Sequence, residues 1–150
     1  MWDYPRPPRL MGDDRHVRVT FGGVVIADTR RAFRVLETTH PPTWYLPAAD
    51  VRLQYLVEIP RRSNCEWKGL ASYFDVRVRD RVAPGAAWTY RSLPGIYAEM
   101  SGAVAFYAAA MDDCTVDGER VRPQPGGFYG GWITDELIGP FKGEPGSDGW

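Results

Sequence analysis

The chain has 150 residues, 44% of them hydrophobic and 25% charged, with a formal net charge of −1 at pH 7. This length predicts a single domain able to bury ~68–70% of its unfolded surface, and the near-zero charge excludes a dedicated nucleic-acid binder, which carries a basic excess. The 16 glycines and 13 prolines exceed the usual ~12% share but fall short of the ~25–30% of disordered chains, so many turns are expected rather than no fold.

Residues 1–14 are rich in proline and charge and read as an extended arm. They hold no apolar h-region, so no secretory signal is expected there. From His16 to Phe21 the chain alternates, with Val17, Val19 and Phe21 on one face and Arg18 and Thr20 on the other. Gly22-Gly23 and then Val24-Val25-Ile26 follow, which predicts a β-hairpin whose glycines supply the positive φ of a tight turn. Arg34 to Thr38 predicts a further strand, centred on Val35-Leu36. His40-Pro41-Pro42 interrupts the pattern, because a residue before proline is pushed out of the helical region. Trp44-Tyr45-Leu46 then suits a short strand. Asp50 is placed to cap a short helix carrying Leu53, Leu56 and Val57 on one face; this is the preferred reading, although Tyr55 to Ile59 would also suit a strand.

Ser72 to Asp80 alternates most cleanly. Phe74, Val76 and Val78 point one way and Asp75, Arg77 and Arg79 the other, as in a half-exposed antiparallel strand. Pro94 to Ala110 reads as the best helix, with Met100, Val104 and Tyr107 along one stripe and Gly102 costing it ~1 kcal/mol relative to alanine. The uncharged run Met100 to Met111 spans 12 residues, short of the ~20 a membrane span needs. Cys114 to Val121 predicts a second hairpin about Asp117-Gly118, a strong type I′ signal. From Gly118 onward lie 9 of the 16 glycines. Residues 122–150, with Phe128, Tyr129, Trp132, Ile133, Phe141 and Trp150, read as a tail wrapping the body, since disordered tails are poor in such groups. There is no internal repeat. The expectation is one mainly β domain over 1–150, with antiparallel sheets and one or two short helices.

Ser63-Asn64-Cys65-Glu66-Trp67-Lys68-Gly69 gathers the most chemistry. Lys68 follows Cys65 by three residues, and a nearby ammonium lowers a thiol pKa and makes it nucleophilic. On an extended backbone Cys65 and Trp67 share one face and Glu66 and Lys68 the other, whereas a turn brings thiol and ammonium together. The plainer alternative is a buried, inert Cys65 and a solvated Lys68. Trp67, Tyr73, Trp88, Tyr90 and Tyr107 flank the same central region, and such flat amphipathic rings suit the wall of a small-molecule pocket as well as a core.

Cys65 and Cys114 leave a disulfide open in principle, but the lack of a signal segment favours thiols and a cytosolic location. Cys65, Cys114, His16 and His40 are too scattered for a structural zinc, and no metal or cofactor is expected. No G-x-S-x-G elbow and no Asp-x-Asp pair appears. Gly126-Gly127-Phe128-Tyr129-Gly130-Gly131 lacks a Walker lysine and reads as a turn. Arg61-Arg62 is too short for a nucleic-acid patch.

VRVTFGGVVIADT at 17–29, RVLETTHPPTWYLP at 34–47 and CEWKGLASY at 65–73 resemble the family called domain of unknown function 427 (DUF427). AAWTY at 86–90, VAFYA at 104–108, VDGERVRPQPGGFYGGWIT at 116–134 and GPFKGEPGSDGW at 139–150 extend the likeness, which includes the N-terminal WDYPRPPR and is similar to the single-domain actinobacterial type. The resemblance implies a compact, mainly β fold of the Mss4-like or β-tent kind. Other proteins of that architecture carry zinc on paired CxxC motifs, which this chain lacks. The family also carries a nucleotidyltransferase-like label, and the chain lacks the Gly-Ser and Asp-x-Asp combination that two-metal nucleotide transfer needs. The family's C-x-x-K-G falls on Cys65, Lys68 and Gly69, its A-x-Y on Ala71 and Tyr73, and its A-W-x-Y on Ala87, Trp88 and Tyr90. No catalytic role comes with these positions.

The expected function is a cytosolic small-molecule-binding domain. Cys65 and Lys68 are its candidate catalytic groups, and Trp67, Tyr73, Trp88, Tyr90 and Tyr107 its candidate ligand contacts. The alternative is an interaction module whose tail docks a protein partner or a second copy, and a nucleotide-transfer enzyme is the less favoured third reading. No nucleic-acid or membrane partner is expected.

Overall fold

The structure, a computed structural model, describes residues 9–36, 41–65, 69–93, 95–124 and 130–134. Its strands are β1 (Arg9–Asp13), β2 (Val17–Phe21), β3 (Val24–Thr29), β4 (Ala32–Leu36), β5 (Thr43–Tyr45), β6 (Leu56–Cys65), β7 (Gly69–Val78), β8 (Arg81–Thr89), β9 (Val104–Phe106), β10 (Asp113–Val116), β11 (Glu119–Arg120), β12 (Arg122–Pro123) and β13 (Trp132–Ile133). Among the described residues they form open antiparallel sheets in the orders β1-β4-β5, β11-β10-β2-β3, β6-β7-β8-β9 and β12-β13. The fold is therefore mainly β, as the alternating segments predict. No helix among the described residues is long and apolar enough to cross a membrane.

Both expected hairpins form. β2 and β3 pair across Gly22-Gly23. β10 and β11 pair across Asp117-Gly118, whose φ angles of 50° and 82° are both positive, as a type I′ turn demands. The arm expected over 1–14 is extended where it is described, but Arg9–Asp13 is a full sheet member, paired with β4. Residues 1–8 lie outside the described part.

Two helix expectations are overturned. Pro94 to Ala110 is no continuous helix: Gly95–Met100 is a 3₁₀ turn, Val104–Phe106 is strand β9, and Ala108–Ala110 is a second 3₁₀ turn. Met100 and Val104 consequently enter different cores instead of one stripe. The helix expected after Asp50 is a 3₁₀ turn at Leu53–Tyr55 that runs directly into β6, so the strand alternative holds there. Asp50 caps nothing. Its carboxylate instead accepts a 2.6 Å hydrogen bond from Thr29 Oγ1 and pairs with Arg31.

The β6-β7-β8-β9 sheet lies between two apolar cores. Val76, Val78, Ala83, Ala87, Val104 and Phe106 face the first, which they share with Val17, Val19 and Ile26 of the β2–β3 hairpin. Ala71, Tyr73, Trp88, Tyr90 and Ala105 face the second, shared with Val35 and Tyr45 from the β1-β4-β5 sheet. Mutual hydrogen bonds of 2.8 Å between Leu46 and Val104 tie the end of β5 to β9, and so fasten the small sheet to the large one.

Candidate functional site

The second core reaches the surface where two strands break register at one level. β6 pairs Ile59 with Tyr73 and then Arg62 with Ser72, leaving Pro60 and Arg61 as a bulge. Proline fits there because it has no ladder hydrogen to donate, and β6 is an edge strand of its sheet. On β8 the pairing passes from Phe74–Ala87 to Val76–Ala83. The intervening Gly85 donates its N–H to Asp75 Oδ1 at 2.8 Å and has φ 58°, a conformation that favours glycine. A Cβ at Gly85 would stand 3.5 Å from Arg61 Nη1, an ordinary contact distance, so the guanidinium lies against this turn and it is the φ angle that calls for glycine. Arg61 lies over the Tyr73 ring, 4.3 Å from its centroid.

Beneath Arg61 the hydroxyls cluster. Ser63 and Tyr73 share a 2.8 Å hydrogen bond, and the Tyr107 hydroxyl lies close enough for Tyr73 to act on it. The Tyr107 ring packs on Trp88 with centroids 4.6 Å apart. Trp88 Nε1 donates to Tyr45 Oη at 3.3 Å, and Tyr45 leans on Tyr90 at 6.3 Å. Gly130 passes so close to Trp88 that a Cβ there would fall 2.1 Å from the indole, so backbone forms one wall. Burial, followed by the neighbouring Tyr73, pushes the Tyr107 hydroxyl up to about 12 despite the nearby Arg61. It remains a neutral donor at physiological pH.

Of the expected site residues, Tyr73, Trp88, Tyr90 and Tyr107 come together in this core, Tyr90 through Tyr45. Cys65 ends β6 opposite Gly69; its side chain, and the whole of Trp67 and Lys68, lie outside the described residues. Cys114 is buried, and burial pushes its thiol up to about 12, so it stays protonated and unreactive. Sequence reasoning missed Arg61, Ser63 and Tyr45. Pro60 inside a strand-like run was the available signal, since such a proline marks an edge or a bulge. Among the described residues no cluster of His, Cys, Asp or Glu could hold a metal ion.

A separate open cleft of about 1020 Å³ lies between β1, β4 and the 3₁₀ turns at Ala48–Asp50 and Gly95–Met100. Phe33 and Ala103 form part of its wall and also border the second core. Its arginines are committed to internal carboxylates: Arg15 and Arg34 to Asp13, and Arg31 to Asp50.

Fold and site together define a small mainly β domain of open antiparallel sheets, with an aromatic, hydroxyl-bearing core that surfaces at a strand bulge. The model of the family described as Domain of unknown function (DUF427) matches residues 9–117, from β1 through β10. The chain belongs to that family. No curated protein matches it.

Proposed function

We propose that this domain binds a small molecule where the second core surfaces, with Tyr73, Trp88 and Tyr107 contacting the ligand and Cys65 and Lys68 supplying reactive groups beside it. The observation that carries the reading is the hydrogen-bonded Ser63–Tyr73 pair beside the Tyr107 ring, which packs on Trp88. A core built only for packing gains little from three clustered hydroxyls, because each must be hydrogen-bonded to offset its desolvation. A recognition surface gains orientation from the same groups, as pockets combine aromatic walls with a few fixed polar atoms. Cys65 lies two residues beyond Ser63 on β6, which brings its backbone to this end of the sheet.

Alkylation of the native full chain with iodoacetamide tests the reactive pair. Buried Cys114 stays silent, so the labelling rate reports Cys65. The expected rate is about tenfold or more above a free-thiol standard, with Lys68→Met returning it toward that standard. A Cys65 rate below the standard would remove the nucleophile from the reading.

A further inference from the structure

We infer that Arg61, Tyr73 and Tyr107 form a recognition site for an oxyanion, so that the ligand is a small organic carboxylate or phosphate ester whose apolar part lies against Trp88. The inference rests on the small-molecule reading above and gives the ligand its charge.

The arginines of this strand end are not equivalent. Arg62 and Arg91 both reach Glu58, at 2.8 Å each, and Arg91 Nη1 also donates to Ser72 Oγ at 3.2 Å. Glu58 pairs with Phe74 across the ladder. These groups therefore lie on the sheet face that carries Ser72 and Phe74, and there the charges cancel. The Pro60–Arg61 bulge sends Arg61 to the other face, over Tyr73. Among the described residues Arg61 has no carboxylate partner, and the residue is exposed. It offers five N–H donors in a fixed fork and no acceptor.

The hydroxyls beside it match. Tyr107 feels the Arg61 charge and the Tyr73 hydroxyl, and burial keeps its own hydroxyl protonated. A guanidinium with no carboxylate partner among the described residues, set beside phenol hydroxyls, recognises an anion, and charge-assisted bonds to carboxylate or phosphate are the strong ones. The half-buried Tyr107 ring, packed on Trp88, supplies an apolar surface for the organic part of the ligand.

Calorimetric titration of the full chain with benzoate, phenyl phosphate, inorganic phosphate and neutral benzamide tests this. Benzoate or phenyl phosphate should bind more tightly than benzamide and inorganic phosphate, and whichever of the two binds better assigns the oxyanion. Arg61→Gln should weaken that binding about ten- to hundredfold, and Arg61→Lys should recover part of it. Arg62→Gln, the same charge change on the other face, should alter it less than about twofold. Arg61 is exposed, so its variants are expected to fold, which circular dichroism checks. Equal losses in Arg61→Gln and Arg62→Gln, or benzamide binding as well as benzoate, overturn the inference. If benzamide binds and Tyr107→Phe abolishes that binding, the small-molecule site stands and only its anionic class is lost. Binding of none of the probes overturns the inference, while the alkylation experiment still judges the reading beneath it.

Discussion

Asp13 closes β1 with its side chain only 8% exposed, between Arg15 and Arg34. Both guanidiniums also lie over Trp44, at 5.1 and 5.7 Å from its ring centroid. Burial alone raises the Asp13 carboxyl; the hydrogen bonds from Arg15 and the charges of Arg15 and Arg34 outweigh it and hold the group below its ordinary 3.8. In the sequence Asp13-Asp14 is an undifferentiated acidic pair. Strand geometry sends neighbours to opposite sides, but which one turns inward depends on where Arg34 of β4 arrives, and no local pattern carries that. Because the folded pKa lies below the unfolded one, Asp13 stabilises the fold above its unfolded value and ceases to do so as pH falls through the folded value. Asp13→Asn should therefore cost about 1–3 kcal/mol near pH 7 and progressively less as the pH falls through the folded pKa, where the wild-type carboxyl itself becomes neutral. Thermal melts of both proteins across that range measure it. A gap of constant size at every pH would show that Asp13 acts by shape alone.

Hairpins and exposed strands were legible in the sequence because they obey local rules. β2–β3 and β10–β11 carry their own turn residues, and β7 beyond Tyr73 alternates because one side of it meets solvent at Arg77. β9 was illegible for the opposite reason. Val104 and Phe106 enter one core while Ala105 enters the other, so the strand is apolar on both faces and loses its period-two signature. Flanked by Met100 and Tyr107, such a run imitates a helix stripe. The aromatic side of the site was readable as residue types, since Tyr73, Trp88, Tyr90 and Tyr107 do share a core, but not as geometry. Their meeting depends on the register that makes Trp88 the cross-strand partner of Tyr73. The bulge on β6 makes an element-scale prediction. Deleting Pro60 and Arg61 joins Ile59 to Arg62 in continuous register with Tyr73 and Ser72 and leaves every later side chain on its original face, because two residues are one full strand period. The shortened chain should fold with stability within about 1 kcal/mol of wild type and should bind benzoate as poorly as Arg61→Gln. Urea unfolding and calorimetry read the two parts separately. A deletion variant that fails to fold would assign the bulge to the core's architecture rather than to ligand recognition.

Across the whole molecule, the family match ends at residue 117, yet the fold does not close there. Val121 and Trp132, both beyond it, belong to the first core. Trp132 is 1% exposed. Its ring stacks on Trp44 with centroids 6.3 Å apart and planes 24° apart, and its indole N–H donates to the Phe106 carbonyl at 3.0 Å. Its backbone N–H donates to Pro42 O at 2.9 Å, and Gln124 N–H to Gly131 O at 3.0 Å. One residue thus ties the chain's last described strand to the segment before β5 and to the end of β9, which the Leu46–Val104 bonds already join. Gly130, two positions earlier, covers Trp88, so the same stretch touches both cores and reaches the proposed site. Trp132→Ala should cost about 3–5 kcal/mol through the lost ring and the cavity it leaves. Trp132→Phe keeps an aromatic ring against Trp44 but leaves the Phe106 carbonyl without its donor, and should cost less, about 1–3 kcal/mol. Urea denaturation of the full-length chain, followed by far-UV circular dichroism, ranks the two. If the stretch holds Trp88 in place, Trp132→Ala should also weaken benzoate binding at concentrations of urea well below the transition, while Trp132→Phe should not. A loss under about 1 kcal/mol for Trp132→Ala, with binding intact, would mean that the 9–117 body closes its own cores and that the segment beyond it is merely laid on the surface.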